Sequence, residues 1–170
     1  MNRARRKPAA VCADEHVVST AASAWIFQAE PRTWNVDAFL TDVAADRVAP
    51  DVVWLVTHYA KEIAPGDRVF LWRAGQRAGV LALARVTGPV AWLRDDKTEY
   101  RCSPVARKLD GERRRVPITI ERILAKPLPR ERLRILPATA DLSILRSAEG
   151  TNFPVDPGEQ VALERLAVPA

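Results

Sequence analysis

Apolar and polar positions alternate most clearly between residues 65 and 86, PGDRVFLWRAGQRAGVLALARV. After the turn residues Pro65, Gly66 and Asp67, the side chains of Arg68, Phe70 and Trp72 alternate with Val69, Leu71 and Arg73. A period of two sends successive side chains to opposite faces of a strand. Residues 74 to 78, with Gly75 among them, read as a connection. From Gly79 onward the chain is almost wholly apolar to Val86, as in a strand covered on both faces or lining a small barrel. The pattern predicts a central hairpin. Trp72 ends the first strand beside Arg73 and a glycine-bearing loop, a place where a large aromatic ring either lines a cleft or fills a core.

The rest of the chain supplies shorter elements. Residues 1 to 22 are rich in alanine and charge and lack periodicity, which predicts a disordered tail before a folded domain at 23 to 168. Trp25, Ile26 and Phe27 predict a strand that ends in Gln28, Ala29 and Glu30, with Pro31 barring its continuation. Gln28 and Glu30 share the face opposite Trp25 and Phe27. With the aromatic pair in the core, these two polar groups point together into whatever lies on the other side.

Asn35 or Asp37 caps a helix to about residue 47, with Phe39, Leu40 and Val43 as its apolar stripe. Beyond Pro50, residues 51 to 56 form a strand around Trp54. Gly88 and Pro89 break the strand that ends at Val86, and Trp92 follows in an irregular charged stretch. Asp110-Gly111 is a strong two-residue turn signal, so residues 100 to 109 and 112 to 120 read as a second hairpin. A short helix at 128 to 134, a second short turn or helix at 137 to 146, and a terminal helix at 156 to 166 complete the reading. Together they describe an α+β domain, a small β-barrel of about five to seven strands flanked by short helices.

Charge adds a location. At 170 residues the chain is one domain with room for a proper core. Its formal net charge is +5 and its pI about 9.7, which permits an anionic partner without demanding one. The excess gathers in the tail (Arg3, Arg5, Arg6 and Lys7) and at the tip of the second predicted hairpin (Arg107, Lys108, Arg113, Arg114 and Arg115). The two cysteines, Cys12 and Cys102, do not form a disulfide framework and read as free thiols. Cys12 and His16 have a metal-compatible spacing, but two ligands in a tail make a poor zinc site. His58 has the character of a base, yet no serine, cysteine or carboxylate pattern supports that role. No stretch approaches the roughly 20 apolar residues of a membrane span, and a reducing cytoplasm is the expected compartment.

The segments WIFQAEP at 25 to 31, VVWLV at 52 to 56, PGDRVFLWRAG at 65 to 75, GVLALARV at 79 to 86 and GTNFPV at 150 to 155 resemble, in that order, those of EVE domains. These belong to the PUA-like barrels and are related to the YTH readers of methylated adenine in RNA. The resemblance implies a PUA-like barrel that binds a modified nucleobase, flipped out of DNA or RNA, in an aromatic cage. It implies no cofactor, metal or membrane. Bacterial members are often linked with restriction or RNA-modification systems, which would supply a partner protein.

Carried over residue by residue, the resemblance matches Trp54 to a cage wall of the relatives, with Thr57 three residues on. Trp72 matches the tryptophan of the GDRVFLW element and stands as pocket wall or core. Where relatives carry a lysine, serine and asparagine at the end of the first strand, this chain has Gln28, Ala29 and Glu30. An ionised glutamate only accepts hydrogen bonds. Glu30 therefore favours a base that presents an amino group, such as a 5-substituted cytosine like 5-methylcytosine, ahead of N6-methyladenine. Gln28 would supply a donor for the remaining acceptor, and the basic hairpin tip would meet phosphates. The alternatives are a nucleobase or nucleoside-processing enzyme using Glu30 or His58, and an RNA-binding or interaction barrel without a modified-base pocket. Glu30 also has a plain structural reading, as a strand cap or a partner for Arg32.

Overall fold

The computed structural model describes residues 22 to 102 and 109 to 168. The predicted tail, with Cys12 and His16, lies outside them, as do Arg107 and Lys108. Seven strands form one curled mixed sheet: β1 (Ala24–Ala29), β2 (Asp51–Leu55), β3 (Arg68–Arg73), β4 (Gly79–Val86), β5 (Ala91–Leu93), β6 (Arg113–Pro129) and β7 (Asn152–Val155). Their order is β2-β6-β4-β3-β1-β7, with β5 paired to β6. Helix α1 (Val36–Ala44) follows β1, whereas α2 (Arg130–Ile135), α3 (Ser143–Arg146) and α4 (Pro157–Ala167) gather in the C-terminal third. This is the expected α+β half-barrel with short flanking helices. Among the described residues no helix is long and apolar enough to cross a membrane.

The central hairpin forms as expected, with β3 and β4 antiparallel and β1 parallel to β3 on its other edge. The run from Val69 to Trp72 is buried throughout, because the sheet separates two cores. Trp25, Phe27, Val69, Leu71, Ala82, Val116 and Ile118 fill the inside of the curl and meet Phe39 of α1. Ile26, Phe70, Trp72, Leu83, Leu133, Leu142 and Leu163 fill the opposite face, beneath the C-terminal helices. Alternation therefore shows here as a division between two cores, not as core against solvent. Gly79 sits where β4 crosses β6 so closely that a Cβ would lie 2.2 Å from the Leu128 carbonyl oxygen. Only glycine fits that approach.

The helix caps follow the sequence. Asn35 accepts from the Ala38 amide at 3.0 Å, and Asp156 and Glu159 form a reciprocal capping box on α4. The turn residue Asp67 is a buried staple as well, accepting from the Trp25 indole at 2.8 Å and from the amides of Ser23 and Ala64 at 3.0 and 2.9 Å.

The second hairpin differs from expectation. Residues 98 to 100 form a turn of 3-10 helix, and the partner of the Arg113 end of β6 is β5, with Ala91 opposite Arg115 and Leu93 opposite Arg113. Trp92 is thus on a strand. The reason is competition for β6: β2 occupies one of its edges and β4 with β5 the other. Tyr100 is instead drawn into the inner core, where its ring meets Trp34 and Phe39 at 5.8 and 5.5 Å. Strand β6 also runs on through Leu128 and Pro129, so α2 begins two residues later than the helix expected from 128.

Candidate functional site

Strands β2 and β7 stand at the two ends of the sheet order, and side chains join them in place of a ladder. Asn152, 2% exposed, accepts from the Thr57 amide at 2.9 Å and donates to the Leu55 carbonyl at 3.2 Å. Thr151 donates to the same carbonyl at 3.0 Å. Beside this polar seam β1 and β2, which do not pair, flank a cavity of about 270 Å³. That lies just below the roughly 300 to 1,000 Å³ of ordinary small-molecule sites, the scale of one ring system and its substituents.

Two tryptophans make its aromatic corner. Trp54 on β2 and Trp34 before α1 both line the cavity, with ring centroids 5.6 Å apart and planes at 80°. Phe27 stacks behind Trp54 at 6.3 Å. Trp34 is half-buried and its indole donates to the Lys97 carbonyl at 3.1 Å, which fixes the ring in its plane.

Polar groups complete the lining. Glu30 accepts from the amide and Nε of Arg32 through one carboxylate oxygen, each at 3.2 Å. Gln28 donates to the carbonyls of Ala148 and Gly150, both at 3.0 Å, so both amide hydrogens are committed to holding the loop before β7. That loop needs its glycine: Gly150 has φ of +106°, and a Cβ there would lie 3.0 Å from the His58 ring. Arg115 is only 3% exposed; its guanidinium donates to the carbonyls of Leu93, Gly111 and Leu109 at 2.8, 3.3 and 3.0 Å. Burial pushes its pKa down from the usual arginine value, partly opposed by the charge of Asp95. Arg101, also in the wall, is held by Asp95 at 2.8 Å and by Asp110; these carboxylates outweigh its burial and raise its pKa.

The structure therefore brings Gln28, Glu30, Trp54 and Arg115 together at one cavity. Thr57 stands at its rim, with its hydroxyl 2.9 Å from that of Thr151 and 3.0 Å from His58 Nδ1. Trp72 is elsewhere: it is 2% exposed in the outer core, on the far face of the sheet, and fills that core. Arg113 and Arg114 are exposed at the start of β6, apart from buried Arg115. Sequence reasoning missed Trp34, Asp95 and Arg101. For Trp34 a signal existed: a large apolar residue just before the Asn35 cap and five before Phe39 is the staple pattern of a helix start, and the two rings meet at 5.2 Å. Asp95 and Arg101 carried none, because the Trp34 to Arg101 bridge that seats them joins distant segments.

The model of the EVE domain matches residues 23–166. This chain belongs to the EVE domain family. Among solved structures, a hypothetical protein from Leishmania major is 19% identical with a TM-score of 0.62, over 86% of this chain and 95% of that one. Human THYN1, solved in complex with 5-methylcytosine-containing DNA, is 13% identical with a TM-score of 0.62, over 88% and 99%. A ZmASCH protein from Zymomonas mobilis is 9% identical with a TM-score of 0.53, over 86% and 97%. At these identities the likeness is one of fold. No curated protein matches.

Proposed function

We propose that the EVE domain cavity of this protein receives a nucleobase turned out of a nucleic-acid strand, a 5-substituted cytosine ahead of N6-methyladenine, and binds it without chemistry. The observation that carries this reading is the corner of Trp34 and Trp54 in a cavity of about 270 Å³. A base taken out of its stack loses a few kcal/mol, and stacking on an aromatic side chain returns about 1 to 3 kcal/mol. A methyl group on the base adds apolar area that the indoles shield from water. The DNA-bound structure of THYN1, similar in fold, supports the same ligand class.

Around the ring, Glu30 would accept from the N4 amino group through the carboxylate oxygen that Arg32 does not use. The donor role expected of Gln28 would pass to Arg115: both amide hydrogens of Gln28 are committed to Ala148 and Gly150, whereas the five N–H groups of a guanidinium exceed the bonds to Leu93, Gly111 and Leu109. Exposed Arg113 and Arg114, with Arg107 and Lys108 from the neighbouring segment, would meet phosphates, which position a strand without reading it. Binding is favoured over catalysis because, of the two candidate acid-base groups, Glu30 is paired with Arg32 and His58 does not line the cavity.

The test is Trp34→Ala against Trp34→Phe, titrated with a single-stranded oligonucleotide carrying one 5-methylcytosine. Removing the ring should weaken binding by about 1 to 3 kcal/mol, and phenylalanine should restore most of it. Equal affinity of both variants and the native protein would remove this wall from the site.

A further inference from the structure

Outside the cavity, the largest exposed aromatic ring among the described residues is Trp92, at 62%. It stands on β5, a strand of three residues, directly opposite Arg114 on β6. The guanidinium of Arg114 lies over its ring, 5.9 Å from the centroid. Arg94, just after β5, and Arg113, at the start of β6, are exposed as well. A tryptophan left this open sacrifices apolar burial, and a strand this short at a sheet edge could carry any polar residue in its place.

The location gives the ring a use. Leu93, the next residue, offers its carbonyl to Arg115 at 2.8 Å, and Arg115 lines the cavity. A nucleic-acid strand that leaves the cavity past Arg115 would meet this edge of the sheet, where the indole stands one residue from Leu93. A flat aromatic face flanked by cations suits a base with its phosphate, since every base has a π-face and every link an anionic group.

We infer that Trp92 and Arg114 form a second stacking platform, on which a base adjacent to the one in the cavity rests while Arg114 and Arg94 face its phosphates. This rests on the nucleic-acid reading of the cavity and extends it from one nucleotide to at least two. It makes the ligand a strand, not a free nucleoside, and it gives the protein contact with sequence context.

The experiment separates the two readings. Native protein, Trp92→Ala and Trp92→Phe are titrated with 5-methyl-2′-deoxycytidine and with a single-stranded oligonucleotide in which 2-aminopurine adjoins a single 5-methylcytosine. The expected result is a loss of oligonucleotide affinity of about 5- to 150-fold in Trp92→Ala, with recovery in Trp92→Phe and unchanged nucleoside affinity. The 2-aminopurine emission should be quenched by the native protein and not by Trp92→Ala. Equal oligonucleotide affinity in all three proteins overturns the platform and leaves Trp92 to a protein partner, while nucleoside binding still upholds the cavity. Platform effects without nucleoside binding uphold the platform and count against the cavity. Binding of neither ligand overturns both.

Discussion

At the scale of single residues, the two tryptophans of the cavity differ in what they do for the fold. Trp54 is 6% exposed and packs with Phe27 and Trp34 in the inner core. Trp54→Ala should lower stability by about 3 to 5 kcal/mol, as large aromatic truncations in cores do, read as a drop in the midpoint of a urea melt. A midpoint within error of the native one would show that the ring belongs to the surface. Half-buried Trp34 is the cleaner probe of ligand binding. Tyr100 gives a pH signature of the same aromatic cluster. Burial, then its hydrogen bond to Asp42 at 2.8 Å and the charge of that carboxylate, pushes the phenol up to about 12 from its ordinary 10. Asp42 is lowered in turn by the Tyr100 hydroxyl and by Arg47. Because the folded phenol value is the higher, its contribution to stability is whole below about pH 10 and fades as pH rises toward 12. In Tyr59→Phe, which leaves Tyr100 as the one remaining tyrosine of two, tyrosinate absorbance should appear with a midpoint near 12. A midpoint near 10 would mean that the phenol is neither buried nor bonded to Asp42 in solution.

At the scale of elements, the seam between β2 and β7 is the part of the barrel that depends on side chains. Asn152→Leu keeps the volume but leaves the Thr57 amide and one bond to the Leu55 carbonyl unmade. The expected loss is about 1 to 3 kcal/mol, with faster hydrogen exchange at Thr57 than in the native protein. Unchanged exchange and unchanged melting would show that the seam does not hold the barrel closed. The same elements show what a sequence can and cannot carry. Strands β1 to β4 were legible because alternation, glycine and proline mark them locally, and the caps Asn35 and Asp156 announce their helices. The pairing of β5 with β6 was not, since Asp110-Gly111 is a genuine local turn signal, with Gly111 at φ of +78°, while partner choice is settled by which edge of β6 remains open. Of the cavity lining, Gln28 and Glu30 were legible as a polar pair at the end of β1, and Trp54 from family likeness. Trp72 stood open between wall and core, and lies in the outer core, because a strand buried on both sides gives no sign of which core each face joins.

At the scale of the whole molecule, one sheet does two tasks. Its outer face is packed under α2, α3 and α4. Its inner face carries the aromatic cluster that reaches the cavity between β1 and β2. The basic residues Arg113 and Arg114 open β6 and Arg94 follows β5, next in the chain to Arg115 and Asp95 of the cavity lining. On the proposed reading these cations would meet phosphates of any nucleic acid, and the cavity would do the selecting. The central claim is that the cavity distinguishes a modified base from its unmodified form. The most direct measurement is the affinity of the native protein for two single-stranded oligonucleotides identical except for one 5-methylcytosine in place of cytosine, at one fixed salt concentration. One added methyl group in an apolar pocket should favour the modified strand by about 1 to 3 kcal/mol, roughly 10- to 200-fold. Equal affinities for the two strands would contradict it.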